Sequence, residues 1–143
     1  MQRFLVVANQ TLGGEHLIAE VRARLAHGPC HFHILVPATA PADHATWTEG
    51  EAQAVAKRNL GQALETFRKL GAKADGEVGD EQPLGAIGDV LREKEFDEII
   101  LSTLPPGISR WLGQDLVSRL ERAFAIPVTH VVGEPEGEPA SDD

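Results

Sequence analysis

The sequence predicts a doubly wound α/β domain: a single five-stranded parallel sheet with helices on both faces. Three observations carry that expectation. Short apolar runs rich in β-branched residues alternate with segments whose apolar residues recur at helical spacing. Glycine, proline and polar capping residues punctuate the junctions. The chain has 143 residues, 42% of them hydrophobic and 24% charged, which suits one core of ordinary size.

Residues 4–8 (Phe-Leu-Val-Val-Ala) form an apolar run ending at Asn9, the pattern of a strand buried on both faces. Residues 14–27 carry Leu17, Ile18, Val21 and Leu25 at helical spacing, and Gly28-Pro29 stops that helix. A second strand spans residues 31–36 and is closed by Pro37. Residues 37–48 form a loop. Thr48 and Glu51 then make a capping box for a long helix with the stripe Ala56, Leu60, Ala63, Leu64, Phe67 and Leu70, ended by Gly71. Residues 72–78 are a polar strand that belongs at a sheet edge. Leu84, Ile87 and Leu91 mark a third helix, with Asp80 ahead of it as N-cap or turn residue. A strand at residues 98–101, a helix marked by Leu112, Leu116, Leu120 and Phe124, and a last strand at residues 127–132 complete the alternation. Ligands of such folds bind beyond the carboxyl ends of the strands, where the strand order reverses. That directs attention to the loops after strands one, two and four.

Charge excludes several functions. Thirteen basic and 22 acidic residues leave a net charge of −9. A basic face is what nucleic acid and anionic membranes attract, so neither is an expected partner. Residues 134–143 hold five acidic residues and no basic one, the composition of a disordered, solubilising tail after a domain of residues 1–133. Cys30 is the only cysteine, which excludes an internal disulfide and fits a reducing compartment. No apolar run approaches the ~20 residues that span a bilayer. The apolar run near Met1 is too short for a signal-peptide core, so the expected location is cytoplasmic.

The candidate site residues have two readings each. Asn9-Gln10-Thr11-Leu12-Gly13-Gly14 is either a cradle for phosphate or adenosine, or a plain turn between strand and helix. Its loose likeness to a flavin phosphate loop lacks support, since the chain has no tyrosine and only Trp47 and Trp111 to cover a flavin. Ser102, Thr103, Gly107, Ser109 and Arg110 offer hydroxyls and a guanidinium to a small anion. Alternatively Arg110 pairs with Asp115 or a partner subunit, and the hydroxyls cap the next helix. Trp111 and Leu112 suit either the core or a dimer contact. His27, Cys30, His31 and His33 are zinc-ligand types. However, His31 and His33 share one strand face while Cys30 points to the other, and no further pair completes a set, so no metal is expected. His130, inside the last strand, fits packing or a dimer seam. No Gly-x-Ser-x-Gly elbow, Walker loop, His-Glu-x-x-His or cysteine pair occurs, so no catalytic residue is assigned.

The segments RFLVVANQ, GEVGDEQPLGAIGDVL, FDEIILSTLP and AFAIPVTHVV, in that order over about nine-tenths of the chain, resemble the universal stress protein family. The resemblance implies an adenine nucleotide alpha hydrolase-like sheet in the order 3-2-1-4-5 and a homodimer formed through the last strand. It also implies a cytoplasmic, non-catalytic stress-response module that binds an adenine nucleotide such as ATP, AMP or cyclic AMP. Candidate contacts on that basis are Ala8, Asn9, Gln10, Val36, Pro37, Ser102, Thr103, Gly107, Ser109, Arg110, Gly113 and Gln114. Asn9 and Val36 would meet base and sugar; the residues after strand four would meet the charged end.

Departures from the family pattern bear on phosphate binding. ATP-binding members carry Gly, two residues, Gly, nine residues, then Gly-Ser or Gly-Thr. The stretch STLPPGISRWLGQDL fits that spacing in neither register. Asp115 falls near the Ser/Thr position, and a carboxylate beside phosphates costs roughly 1–4 kcal/mol. Pro105 and Pro106 remove two backbone donors. The acidic residue that the family places after strand one is Asn9 here, which bonds without charge. Two other functions stay open: a ligand-free homodimeric interaction module and a nucleotide-processing hydrolase.

Overall fold

The structure, a computed structural model, describes residues 1–38, 49–105, 111 and 115–133. Five strands alternate with four helices: β1 (Gln2–Val7), α1 (Glu15–Leu25), β2 (Cys30–Pro37), α2 (Glu49–Lys69), β3 (Lys73–Gly79), α3 (Pro83–Glu93), β4 (Glu98–Thr103), α4 (Leu116–Ala123) and β5 (Val128–Val132). All strand pairs are parallel, in the order β3-β2-β1-β4-β5. Both the alternation and the strand order match the sequence-based expectation.

Strand alternation builds two cores. Phe4, Val6, Phe32, Ile34, Val36 and Ile100 point to one face, where Leu17 and Val21 of α1 and Ala56, Ala63 and Phe67 of α2 cover them. Leu5, Val7, Leu35, Ile99 and Leu101 point to the other, under Ala86, Ile87 and Val90 of α3 and Leu116 and Leu120 of α4. Burial on both faces is why these strands read as unbroken apolar runs. Trp111 is buried in the second core, which decides for packing over a dimer contact. Cys30 lies in the first core, opposite His31 and His33.

Polar anchors tie the layers. Arg24 on α1 bonds Glu98 of β4 (2.7 Å) and Glu20 (2.7 Å), and Glu98 also accepts from Thr129 of β5. Burial pushes the Glu98 pKa up, but the Arg24 and Thr129 bonds outweigh it and hold the carboxyl below its ordinary range. No helix among the described residues is long and apolar enough to cross a membrane.

Several boundaries differ from expectation. Pairing with β5 carries β4 through Thr103, so Ser102 and Thr103 are strand residues and not part of the following loop. β1 starts at Gln2 and β2 extends to Pro37, because both find parallel partners there. The N-cap of α3 is Gln82, followed by Pro83; Asp80 is a turn residue whose Oδ1 accepts the N–H of Glu81 (2.8 Å). Thr48, Leu112 and the 134–143 tail lie outside the described residues.

Gly76, inside the edge strand β3, has no room for a side chain. A Cβ at Gly76 would overlap the Ile34 carbonyl oxygen of β2 and approach Leu60 Cδ1 to 2.7 Å. Gly76→Ala is therefore expected to destabilise the fold by about 1–3 kcal/mol, as overpacking does. A fall in the urea midpoint at constant m-value reads that out.

Candidate functional site

The strand order reverses between β1 and β4, so the carboxyl ends of those strands form the switch point. β1 is apolar from Phe4 onward, as is Ala8 after it; Asn9 is the first polar side chain beyond, and it is buried. A buried amide needs partners. Asn9 Nδ2 donates to the Pro37 carbonyl at the end of β2 (2.9 Å). Asn59 Nδ2, from the middle of α2, donates to Asn9 Oδ1 (2.8 Å). The amide of Asn9 thus ties the end of β1 to β2 and α2, with its O/N orientation fixed by both bonds.

The turn after Asn9 is closed by backbone bonds from Leu12 N–H to the Asn9 carbonyl (3.4 Å) and from Gly14 N–H to the Thr11 carbonyl (3.0 Å). Leu12 is buried. Gly14 is the N-cap of α1 with extended backbone. Thr11 Oγ1 and Ser102 Oγ share a hydrogen bond of 2.6 Å across β1 and β4. Thr103, one residue on, points to the opposite face, where its hydroxyl lies 2.8 Å from His130 Nε2. Burial pushes the His130 pKa down, which favours the neutral ring; its Nε2 and the Thr103 hydroxyl share that hydrogen bond. The Thr103 carbonyl accepts the Gly133 N–H (2.9 Å).

The expected contacts divide accordingly. Asn9, Pro37 and Ser102 gather at the switch point. Ala8 and Val36 are buried beneath them in the first core, and Gln10 is half-buried in the turn. Thr103 stands on the other face with His130. Ser102 bonds Thr11 in the turn after β1 and Thr103 bonds His130 of β5; the N-cap of α4 is Asp115, so neither hydroxyl caps that helix. Gly107, Ser109, Arg110, Gly113 and Gln114 lie outside the described residues. Asp115 is the N-cap of α4, exposed, and in the left-handed region at φ 59°, with no side-chain cap bond. It is the one non-glycine residue with positive φ among those described. That conformation is natural to glycine and tolerated by aspartate.

Two members of the site escaped sequence reading. Thr11 sat within the noted turn but was given no role. Asn59 lies on the buried stripe of α2 between Ala56 and Ala63, and a polar residue on such a stripe was the available signal. Asn9, Asn59, Thr11 and Ser102 are all uncharged donors and acceptors, a set suited to the neutral part of a ligand. Thr103 is only 2% exposed, which leaves its hydroxyl screened from solvent and ill placed as a nucleophile.

No protein-family model matches this chain, and no curated protein matches it significantly. Solved structures do. A universal stress protein from Archaeoglobus fulgidus superposes with a TM-score of 0.58 at 17% identity, covering 92% of this chain and 93% of that one. The A. fulgidus universal stress protein in complex with dAMP gives 0.59 at 17% identity, covering 92% and 98%. A member of the same family from Burkholderia pseudomallei gives 0.56 at 16% identity, covering 91% and 95%. The chain has the universal stress protein fold.

Removing the Asn59 amide leaves Asn9 Oδ1 buried without its partner. Asn59→Ala is expected to cost about 1–3 kcal/mol. Asn59→Ala and Asn9→Ala together should cost less than the sum of the single changes, because they delete one shared bond. Denaturant unfolding of the four-member cycle measures this.

Proposed function

We infer that this chain is a non-catalytic, stress-response regulatory module that binds an adenine nucleotide at the carboxyl edge of β1, β2 and β4. The observation that carries the reading is the uncharged cluster of Asn9, Asn59, Thr11 and Ser102 at the switch point. It occurs in a fold whose A. fulgidus counterpart was solved in complex with dAMP. An asparagine amide offers two donors and two lone pairs, and Asn9 spends one of each on Pro37 and Asn59. One donor and one acceptor remain for the edge of a base or a ribose. Gln10 and the end of β2 complete the base-side contacts. Ser102, Gly107, Ser109, Arg110, Gly113 and Gln114 serve the charged end in this reading.

The preferred ligand carries few phosphates. Asp115 at the start of α4 opposes a polyphosphate, and so does a chain with a net charge of −9. Thermal unfolding with dAMP, AMP, cyclic AMP and ATP, each with and without magnesium, tests this. A monophosphate or cyclic nucleotide at a hundredfold excess over its Kd should stabilise by about 2.7 kcal/mol. ATP should stabilise less, Asp115→Ser should narrow that difference, and no phosphate should be released. The absence of any shift favours the second reading, a ligand-free interaction module. The internal bonds of Asn9 and Ser102 support that alternative, because they give both side chains protein partners without a ligand.

We assign the module to the cytoplasm, on the single cysteine and the acidic surface, and to a homodimer through β5. β5 is an outer strand; Val131 faces the core and Val132 is 39% exposed. Val132→Glu should therefore shift sedimentation toward the monomer without unfolding the chain. An unchanged sedimentation coefficient would count against that interface.

A further inference from the structure

The face of the sheet opposite α1 and α2 carries a polar cluster that the candidate site does not use. His33 of β2 is buried, with a side chain only 5% exposed. Its Nδ1 lies 2.7 Å from Asp75 Oδ1 and its Nε2 lies 2.8 Å from Glu77 Oε2, both on the edge strand β3. The register explains the geometry: His33 pairs with Asp75 and Glu77 is two residues on, so both carboxylates stand on the His33 face. A carboxylate accepts and does not donate. An imidazole meets two of them as donor only with a proton on each nitrogen.

We propose that His33, held as an imidazolium between Asp75 and Glu77, is a pH-sensitive latch that fastens the edge strand β3 to the sheet. When pH rises and the ring gives up one proton, one nitrogen presents a lone pair to a carboxylate less than 3 Å away. Attraction on that side becomes repulsion, and the latch releases. The latch is closed at the acid end and opens toward alkaline pH. Burial alone would raise the Asp75 pKa, but the bond to His33, together with the charges of His33 and His31, holds it below the ordinary carboxylate range. Asp75 therefore stays ionised as pH falls, and the latch survives mild acid.

Lys73 stands on the same face of β3 as Asp75 and Glu77, in register with His31. His31 of β2 shares Asp75 Oδ1 at 3.1 Å. Phe96, before β4, lies 6.0 Å from the His33 ring, and Arg3 of β1 sits 5.7 Å over Phe96. Arg92 of α3 is paired with Asp89. The latch reaches one wall of the candidate site. β3 ends at Gly79, whose carbonyl accepts the Ala38 N–H (3.1 Å), next to Pro37 and its bond to Asn9. It does not depend on what that site binds.

Nitrogen-15 NMR of histidine-labelled full-length protein, from about pH 5 to about pH 8, reads the protons on His33 directly. Amide exchange over the same range reads the protection of Lys73–Gly79, with Gln2–Val7 as internal reference. His33 should be doubly protonated at the acid end. As it loses one proton, β3 should lose protection severalfold relative to β1. Asp75→Asn combined with Glu77→Gln changes two half-exposed side chains without altering their shape. Because an amide can donate as well as accept, the double change should remove the pH dependence of β3 protection. A singly protonated His33 at the acid end, an unchanged pH dependence of β3 protection in the variant, or β3 protection that follows β1 throughout would each overturn the proposal.

Discussion

β1 and β4 run side by side at the centre of the sheet with helices over both faces, so neither strand has a side that can hold a free polar group. Leu5, Val6, Val7, Ile99, Ile100 and Leu101 are fully buried. Polar side chains are admitted only where these strands end, and there each one must be bonded, since a buried, unpaired donor or acceptor costs about as much as several ordinary hydrogen bonds contribute. That constraint builds the carboxyl edge: Asn9 spans to Pro37 and Asn59, Ser102 to Thr11, and Thr103 to His130. The edge is rigid because its polar groups hold each other.

The same bonds give the candidate site its character. A charged residue after β1 would need a counter-charge or water in this environment. Asn9 needs neither, and its remaining donor and acceptor keep the edge competent for a neutral partner such as a base or a sugar. The negative charge of the chain and the carboxylate of Asp115 weigh against ligands with several phosphates. In the proposed reading, the arrangement separates recognition of the nucleoside, which the neutral edge favours, from recognition of a polyphosphate, which the charge opposes.

Much of this was legible in the sequence. Runs such as residues 4–8 are apolar at every position because both faces are covered, and the polar residues 72–78 reveal an edge strand because one side meets water. What stayed hidden is cross-strand and cross-layer information. Nothing local to Asn9 indicates that its partner is Asn59, fifty residues later on α2. The histidines of β2 were visible as a cluster with metal-ligand chemistry. Their true partners, Asp75 and Glu77, follow only from the register of β2 with β3. The apolar run marks β4 only to Leu101, because the pairing that extends it through Ser102 and Thr103 comes from β5. Of the two readings of Asp80, helix cap or turn residue, the cap falls away because Pro83 fixes the start of α3 and leaves Gln82 in that place.

The central claim is that the edge formed by Asn9, Asn59, Pro37 and Ser102 receives an adenine nucleoside monophosphate. Titrating AMP into isotopically labelled protein and following backbone and side-chain amide resonances tests it most directly. The account predicts saturable shifts centred on Asn9, Asn59, residues 36–38 and residues 102–103, with the side-chain amide of Asn9 among the most affected. Resonances unmoved at saturating AMP, or shifts confined to a surface remote from the ends of β1 and β4, would contradict it.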